Sequence, residues 1–326
     1  VPRHARLDPR ATARIVRRAA LRYGPDTEAA LDLGPHVRAA SALVRWGDEL
    51  WIVQDDTAAI AVLSLVDGTV RARPLPLPTA GGRRFDPGRG DKRRKRDLEA
   101  ACLLELDGAP HLIAFGSGSS PWRESVALVP LGGAPARVVP LPRLYAAWRA
   151  RGDFAGSELN VEGALAIGDR LLLAQRGNGA PAADRAPVNA IAALSLPGLV
   201  ALIAAPEVAA VPPLTEVEPW ELGAVGGARL TFTDLTATPA GVLFAAAAEA
   251  SPDALRDGPV TGGVVGRLAD GAAALLLDEA GRPSCDKVEG IAHAADGRLF
   301  AVVDRDDPAV PAELLEIALP PAWGAA

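Results

Sequence analysis

SALVRWGDELWIVQDDTAAIAVLSLVDGTVRARPLPL, residues 41–77, reads as four short β-runs: 41–46, 49–55, 58–65 and 69–77. The breaks between them, Gly47-Asp48, Asp56-Thr57 and Val66-Asp67-Gly68, carry the turn chemistry of hairpins. Four antiparallel strands in a meander make one blade of a propeller. The same pattern returns over residues 98–141, 160–211, 231–277 and 287–319. In the third repeat the outer strand is expected at 199–211. The last repeat lacks its outermost strand, and the run ATARIVRRAALRY at 11–23 has no repeat of its own. Strand is the economical reading for that run, since it would complete the last blade and remove free edges. A helix competes, because Ala and Arg favour one. The expected fold is therefore all-β: one domain over residues 1–326, a five-bladed β-propeller of four-stranded antiparallel blades whose ring is closed by an N-terminal strand.

Two of the first strands begin alike, with Val161-Glu162-Gly163 and Val288-Glu289-Gly290. Aligning the repeats on the leucine of each second strand (Leu50, Leu171, Leu243, Leu299) gives one equivalent position per repeat: Ser41, Glu99, Glu162, Asp234 and Glu289. First strands of a propeller line its channel, so these residues are expected to form a ring. Carboxylates gathered that closely repel unless a cation sits among them or some are protonated. Oxygen donors without His or Cys suit a hard cation such as Ca²⁺. The alternative is that the acids sit at a rim, solvated or bonded to backbone amides. The glycines after Glu162 and Glu289, Gly163 and Gly290, are expected where strands converge and leave no room for a side chain.

In a hairpin, the start of the first strand lies beside the end of the second. The second-strand ends Gln54-Asp55-Asp56, Gly116-Ser117, Gln175-Arg176, Glu249 and Asp304-Arg305 are thus expected at the same mouth as the ring. Asp55 and Glu99 are the candidate catalytic groups. Gln54, Ser117, Trp122, Arg123, Gln175, Arg176, Glu249, Lys287, Asp304 and Arg305 are the candidate substrate contacts. Guanidinium groups and acids beside a divalent cation suit a phosphorylated or otherwise anionic small molecule.

With 34 Lys+Arg against 40 Asp+Glu the chain is mildly acidic, which argues against a general nucleic-acid binder. The run RRFDPGRGDKRRKR at 83–96 is the strongest local bias, either a basic flap over the mouth or a solvated connection, and it offers only Phe85 for stacking. No apolar run reaches the length of a membrane span, so no membrane role is expected. Val1-Pro2-Arg3-His4 does not open a signal peptide, which favours the cytoplasm unless a leader has been removed. Cys102 and Cys285 give no disulfide framework, and there is no G-x-S-x-G elbow, H-E-x-x-H helix or P-loop. Among the histidines only His293 falls on a first strand, where a packed or solvated ring is the expectation.

The segments Ser41-Ala42-Leu43-Val44, Val53-Gln54-Asp55-Asp56-Thr57, Glu99-Ala100 with Gly116-Ser117, Val161-Glu162-Gly163-Ala164, Phe232-Thr233-Asp234-Leu235 and Val288-Glu289-Gly290-Ile291 together resemble the calcium-dependent apyrases. The strand pattern is also similar to phytase-like and esterase-like propellers. The resemblance implies one channel Ca²⁺ held by the serine and glutamate positions and hydrolysis of phosphoanhydrides, with Asp55 at a catalytic aspartate. Gln54 stands where that family has the first Asp of its pair, and Asp234 where it has a serine. The resulting expectation is a Ca²⁺-dependent phosphohydrolase. The alternative is a non-catalytic propeller with a structural Ca²⁺ and a ligand- or partner-binding mouth.

Overall fold

The computed structural model describes residues 1–77, 82–86, 88, 90, 91, 94–182, 184–250, 258–294, 296–321, 323 and 324. Strands β1 (Arg3–His4) and β2 (Arg6–Ala20) come first, then helix α1 (Pro25–Leu31). The first repeat is β3 (Ala40–Trp46), β4 (Glu49–Gln54), β5 (Ala59–Ser64) and β6 (Val70–Pro74). The second is β7 (Leu98–Leu106), β8 (Ala109–Gly116), β9 (Ser125–Pro130) and β10 (Arg137–Pro140), followed by α2 (Pro142–Ala150) and α3 (Gly152–Ala155). The third is β11 (Val161–Ile167), β12 (Arg170–Gln175), β13 (Asn189–Ser195), α4 (Leu196–Ala204) and β14 (Thr215–Glu221). The fourth is β15 (Ala224–Val225), β16 (Ala228–Thr238), β17 (Gly241–Glu249), β18 (Val260–Arg267) and β19 (Ala272–Leu277). The last is β20 (Val288–His293), β21 (Leu299–Val303) and β22 (Glu313–Ala318).

Hydrogen bonding does not divide these strands into five equal blades. The sheets have four, four, five and nine strands, and none closes on itself. The cause lies in the N-terminal strand. Ala11, Ala13 and Ile15 are buried in alternation while their neighbours face out, the period of a strand rather than a helix. Over its 15 residues β2 pairs parallel with β19 on one edge and antiparallel with β22 on the other. The fourth and fifth repeats are thereby welded into one nine-stranded sheet. The third repeat gains a fifth strand because β1 pairs parallel with β14. The expected five-bladed propeller, closed into a ring by an N-terminal strand, is corrected accordingly: the chain is mostly β, in four open sheets of unequal size.

Residues 199–211 are also not the strand expected. Ser195 accepts a hydrogen bond from the Gly198 amide, Pro197 follows in the first turn, and α4 runs from Leu196 to Ala204. Leu196, Leu199, Leu202 and Ile203 share its buried face at helical spacing. The outer strand of this repeat is β14, further along the chain.

The first strands meet in the interior by packing and side-chain contacts, not by backbone pairing with one another. β3 lies against β7 and β20, β11 against β7 and β16, and β16 against β20. Gly290 sits where β20 crosses β3, and an ideal Cβ there would lie 2.5 Å from the Leu43 amide nitrogen and 2.6 Å from the Ala42 carbonyl carbon. At Gly163 the space is less restricted, with the Ala174 methyl at 3.1 Å and the Asp234 backbone at 3.2 Å. Among the described residues, no helix is long and apolar enough to cross a membrane.

Candidate metal centre

Each first strand slips register against its partner at one place: at Ser41, Glu99, Glu162, Thr233 and Glu289. A bulge leaves one residue out of the ladder and re-aims its side chain, a device common beside binding sites. Four of the five positions read from the sequence occupy the bulge itself. In the fourth repeat the bulge falls one residue early, on Thr233. Asp234 instead accepts hydrogen bonds from the Leu235 and Ile291 amides, both at 2.8 Å, and so clamps β16 to β20. Ser41 donates to the Leu98 carbonyl at 2.6 Å and ties β3 to β7. The Thr233 hydroxyl and Glu289 Oε2 are buried with no hydrogen-bond partner among the described residues.

At one side of this interior, ligand oxygens of Asp55, Asp97 and Glu99 lie within 4.8 Å of one another. Asp97, at φ 53°, directly precedes β7, and Glu99 occupies the bulge of that strand. Asp55 comes from the adjacent repeat, just beyond the end of β4. These three groups form a cluster able to coordinate a metal ion. The Lys95 ammonium is already present, bonded to Asp55 and 2.7 Å from Asp97. Arg123, at 2.7 Å, and the Ser117 hydroxyl, at 2.6 Å, hold the other Asp97 oxygen. The Lys95 and Arg123 charges keep the Asp97 carboxyl below its ordinary range despite burial. Glu99 goes the other way: burial, with the charges of Asp97, Asp55 and Glu162, drives its carboxyl well up.

A second group of charges continues around the interior. Arg176 reaches Glu162 at 3.4 Å and Glu249 at 2.5 Å. Lys287 lies 3.0 Å from Glu289, 3.6 Å from Glu249 and 3.7 Å from Asp306. Asn160 donates to Glu162 at 2.8 Å. Burial outweighs the nearby Arg176 and pushes the Glu162 carboxyl up to about 7. Burial raises Asp234 well above its ordinary range and Glu289 in the same direction. Asp304 is pushed up to about 8 by burial and by the charges of Asp55, Asp306 and Glu289.

Other expected contacts are placed differently. Gln54 and Gln175 are buried and fully engaged locally. Gln54 accepts from the Arg38 amide and donates to Tyr23 and the Ala59 carbonyl. Gln175 accepts from the Asn160 amide and donates to the carbonyls of Glu158 and Arg176. Arg305 turns away to Asp286 and Glu313, in a network with Arg18 that secures β2. Trp122 stands 65% exposed on a short 3₁₀ turn. Asp56 forms a buried pair with Arg38. Residues 87, 89, 92 and 93 of the basic run lie outside the described residues. Of the rest, Phe85 is buried, Arg83 bonds the Ala58 and Leu75 carbonyls, and Lys95 is part of the acid cluster.

Sequence reasoning missed Lys95, Asp97, Thr233 and Asp306. A signal for Asp97 was present. Asp97, Asn160, Thr231 and Lys287 each stand two residues before the bulge residue of their strand, a recurrence of polar groups visible in the sequence.

Fold and site together define a β-sheet protein with a buried, oxygen-rich cluster able to hold a cation. Residues 36–319 match a family of unknown function, DUF6929, and the chain belongs to that family. No curated protein matches it. Among solved structures it is similar to the glutaminyl cyclase of Myxococcus xanthus, at 12% identity and TM-score 0.47, covering 98% of this chain and 99% of that one. A protein of unknown function from Bacteroides thetaiotaomicron gives 7% identity and TM-score 0.47, over 92% and 76% of the two chains. The β-propeller domain of Cps50 (Swd1) from Myceliophteria thermophila gives 12% and 0.36, over 88% and 97%. Likenesses this loose, to proteins so unlike one another, carry no functional assignment. The resemblance to calcium-dependent apyrases, and to phytase-like or esterase-like propellers, is therefore withdrawn. With it goes the description of the chain as a calcium-binding hydrolase on family grounds. The cluster itself supports a metal site of unspecified ion.

Proposed function

We propose that the chain is a metal-dependent hydrolase acting on a phosphate ester or phosphoanhydride, with Ca²⁺ as the first candidate ion. The observation that carries this reading is the convergence of Asp55, Asp97 and Glu99 oxygens in an interior already crowded with carboxylates. The donor set is all oxygen, as a hard cation requires. The unpartnered Glu289 Oε2 and Thr233 hydroxyl add two further buried oxygens in search of a partner. The ring read from sequence enters with Glu99 shared between the two groups and with Thr233 in place of Asp234. When bound, such an ion supplies Lewis-acid polarisation and a more acidic water.

The chain's own groups fit the remaining roles. Asp55 accepts the proton of the attacking water; Glu99, its carboxyl driven well up by burial and the neighbouring acids, can do so only once its own proton has been displaced on cation binding. Asp304, protonated at neutral pH with its carboxyl near 8, can donate a proton to the leaving oxygen. Arg123 and Arg176 offset charge on the phosphoryl oxygens. The net charge of −6 argues against a general nucleic-acid binder.

One observation favours a second reading, a structural ion beneath a ligand-binding mouth. Lys95, Arg123, Arg176 and Lys287 are all engaged by carboxylates, and an incoming phosphate would have to displace them. A phosphate-release screen over nucleotides, sugar phosphates and phytate, with Ca²⁺ and with chelator, separates the two. Hydrolysis is expected only with the ion, and Asp55→Asn and Glu99→Gln should each abolish it. Activity that survives both substitutions rules out the assigned roles, while Ca²⁺ binding without turnover selects the second reading.

A further inference from the structure

The acids occupy the starts of the first strands. Toward the other ends of the same strands lies a separate cavity of about 430 Å³, to which all five contribute. That volume falls within the range of small-molecule sites. Leu43, Leu103, Leu165 and Leu235 give it an aliphatic wall. Among the described residues no carboxylate lines it, in contrast to the interior beyond the bulges. Its charged group is the Arg45 guanidinium, whose Nε is buried and has no hydrogen-bond partner among the described residues. His293 also lines it, with Nε2 3.0 Å from the Gly324 carbonyl.

A desolvated guanidinium donor without an acceptor is costly. Its planar fork matches a carboxylate, and the aliphatic wall matches a hydrocarbon body. We propose that this cavity is a binding site for a small aliphatic carboxylate, its head group on Arg45 and its chain between the leucines of the first strands. The site is independent of the metal centre, since none of the acid cluster lines it.

Butyrate, hexanoate and octanoate are the probes, titrated into the full chain by calorimetry in the presence of chelator, with hexanol and hexyl phosphate as comparisons. Hexanoate is expected to bind, hexanol and hexyl phosphate at least tenfold more weakly. Arg45→Gln should weaken hexanoate about tenfold or more, Arg45→Lys should retain part of the affinity, and Ala166→Phe should exclude it by filling the cavity. Unfolding curves of the three variants establish that each is folded, and the comparison rests on those that are. Absence of hexanoate binding up to about 10 mM overturns the proposal. So does hexanol or hexyl phosphate binding as tightly as hexanoate, or an affinity that Arg45→Gln leaves unchanged.

Discussion

Replacing Glu162 by glutamine isolates the electrostatic cost of the buried interior. Its carboxyl titrates near 7 rather than 4.5, because burial outweighs the nearby Arg176. The native state therefore holds this proton more tightly than the unfolded chain does. The resulting stability is complete below about pH 4.5 and is lost as pH rises through about 7. A shift of about 2.5 units at ~1.36 kcal/mol each gives a loss of about 3 kcal/mol by pH 8. Glu162 is 3% exposed, so solvent does little to screen it. Glutamine cannot ionise, and Arg176 retains Glu249 in its place. The other raised carboxyls are common to both proteins and largely cancel in the comparison. Urea unfolding in EDTA at pH 5 and pH 8 reads the effect directly. Wild type should lose about 2.5 kcal/mol more than Glu162→Gln across that interval, since part of the loss has already occurred by pH 5, and excess Ca²⁺ should shrink the gap. Parallel pH profiles, within about 0.5 kcal/mol, would show that Glu162 is well solvated or stays ionised, and the account of the interior would fail.

Lys95→Gln removes the ammonium that shares Asp55 and Asp97 with any incoming ion. It should raise divalent-cation affinity by about tenfold while lowering stability in chelator, as calorimetry and unfolding will report. Thr233→Val should weaken cation binding several-fold if the bulge places the hydroxyl among the ligands. Asp234→Asn should act mainly on stability, through its bonds to Leu235 and Ile291, and the opposite pattern in a binding assay would restore Asp234 to the ring. Gly290→Ala must displace the β3 backbone, so a loss of at least ~2 kcal/mol is expected, against a smaller loss for Gly163→Ala. Equal losses in the two unfolding curves would count against the close approach at Gly290.

The sequence disclosed the hairpins because their signals are local. Gly47 and Gly68, at φ 58° and 73°, occupy turn positions that favour glycine, between short apolar runs that are mostly buried. Edge pairing carries no comparable local mark. Nothing in residues 6–20 states that the strand will be claimed on both sides, so the merged nine-stranded sheet could not be read. Helix α4 was missed because an unbroken apolar run has neither a clear period of two nor one of 3.6. Four of the five positions aligned in the sequence, Ser41, Glu99, Glu162 and Glu289, coincide with bulges that the alignment itself did not foresee. The fourth repeat slipped because counting cannot see a bulge. Lys95 was hidden inside a basic run whose composition suggested a solvated segment, whereas its neighbours Asp55 and Asp97 draw it inside.

The double pairing of β2 has a consequence for how the chain acquires its structure. Ala20 must find Glu313, and Arg14 must find both Leu277 and Ala318, across nearly the whole sequence. Contacts of such high sequence separation form late and slow folding. During synthesis β2 emerges well before β19 and β22, and Ala13 and Ile15 wait for the partners that bury them. Its first ten residues are rich in charge and include Pro9, which disfavours self-association of a waiting strand. A strand made early thus depends on one made about 290 residues later, and premature chain termination anywhere before β22 leaves it without one of its partners.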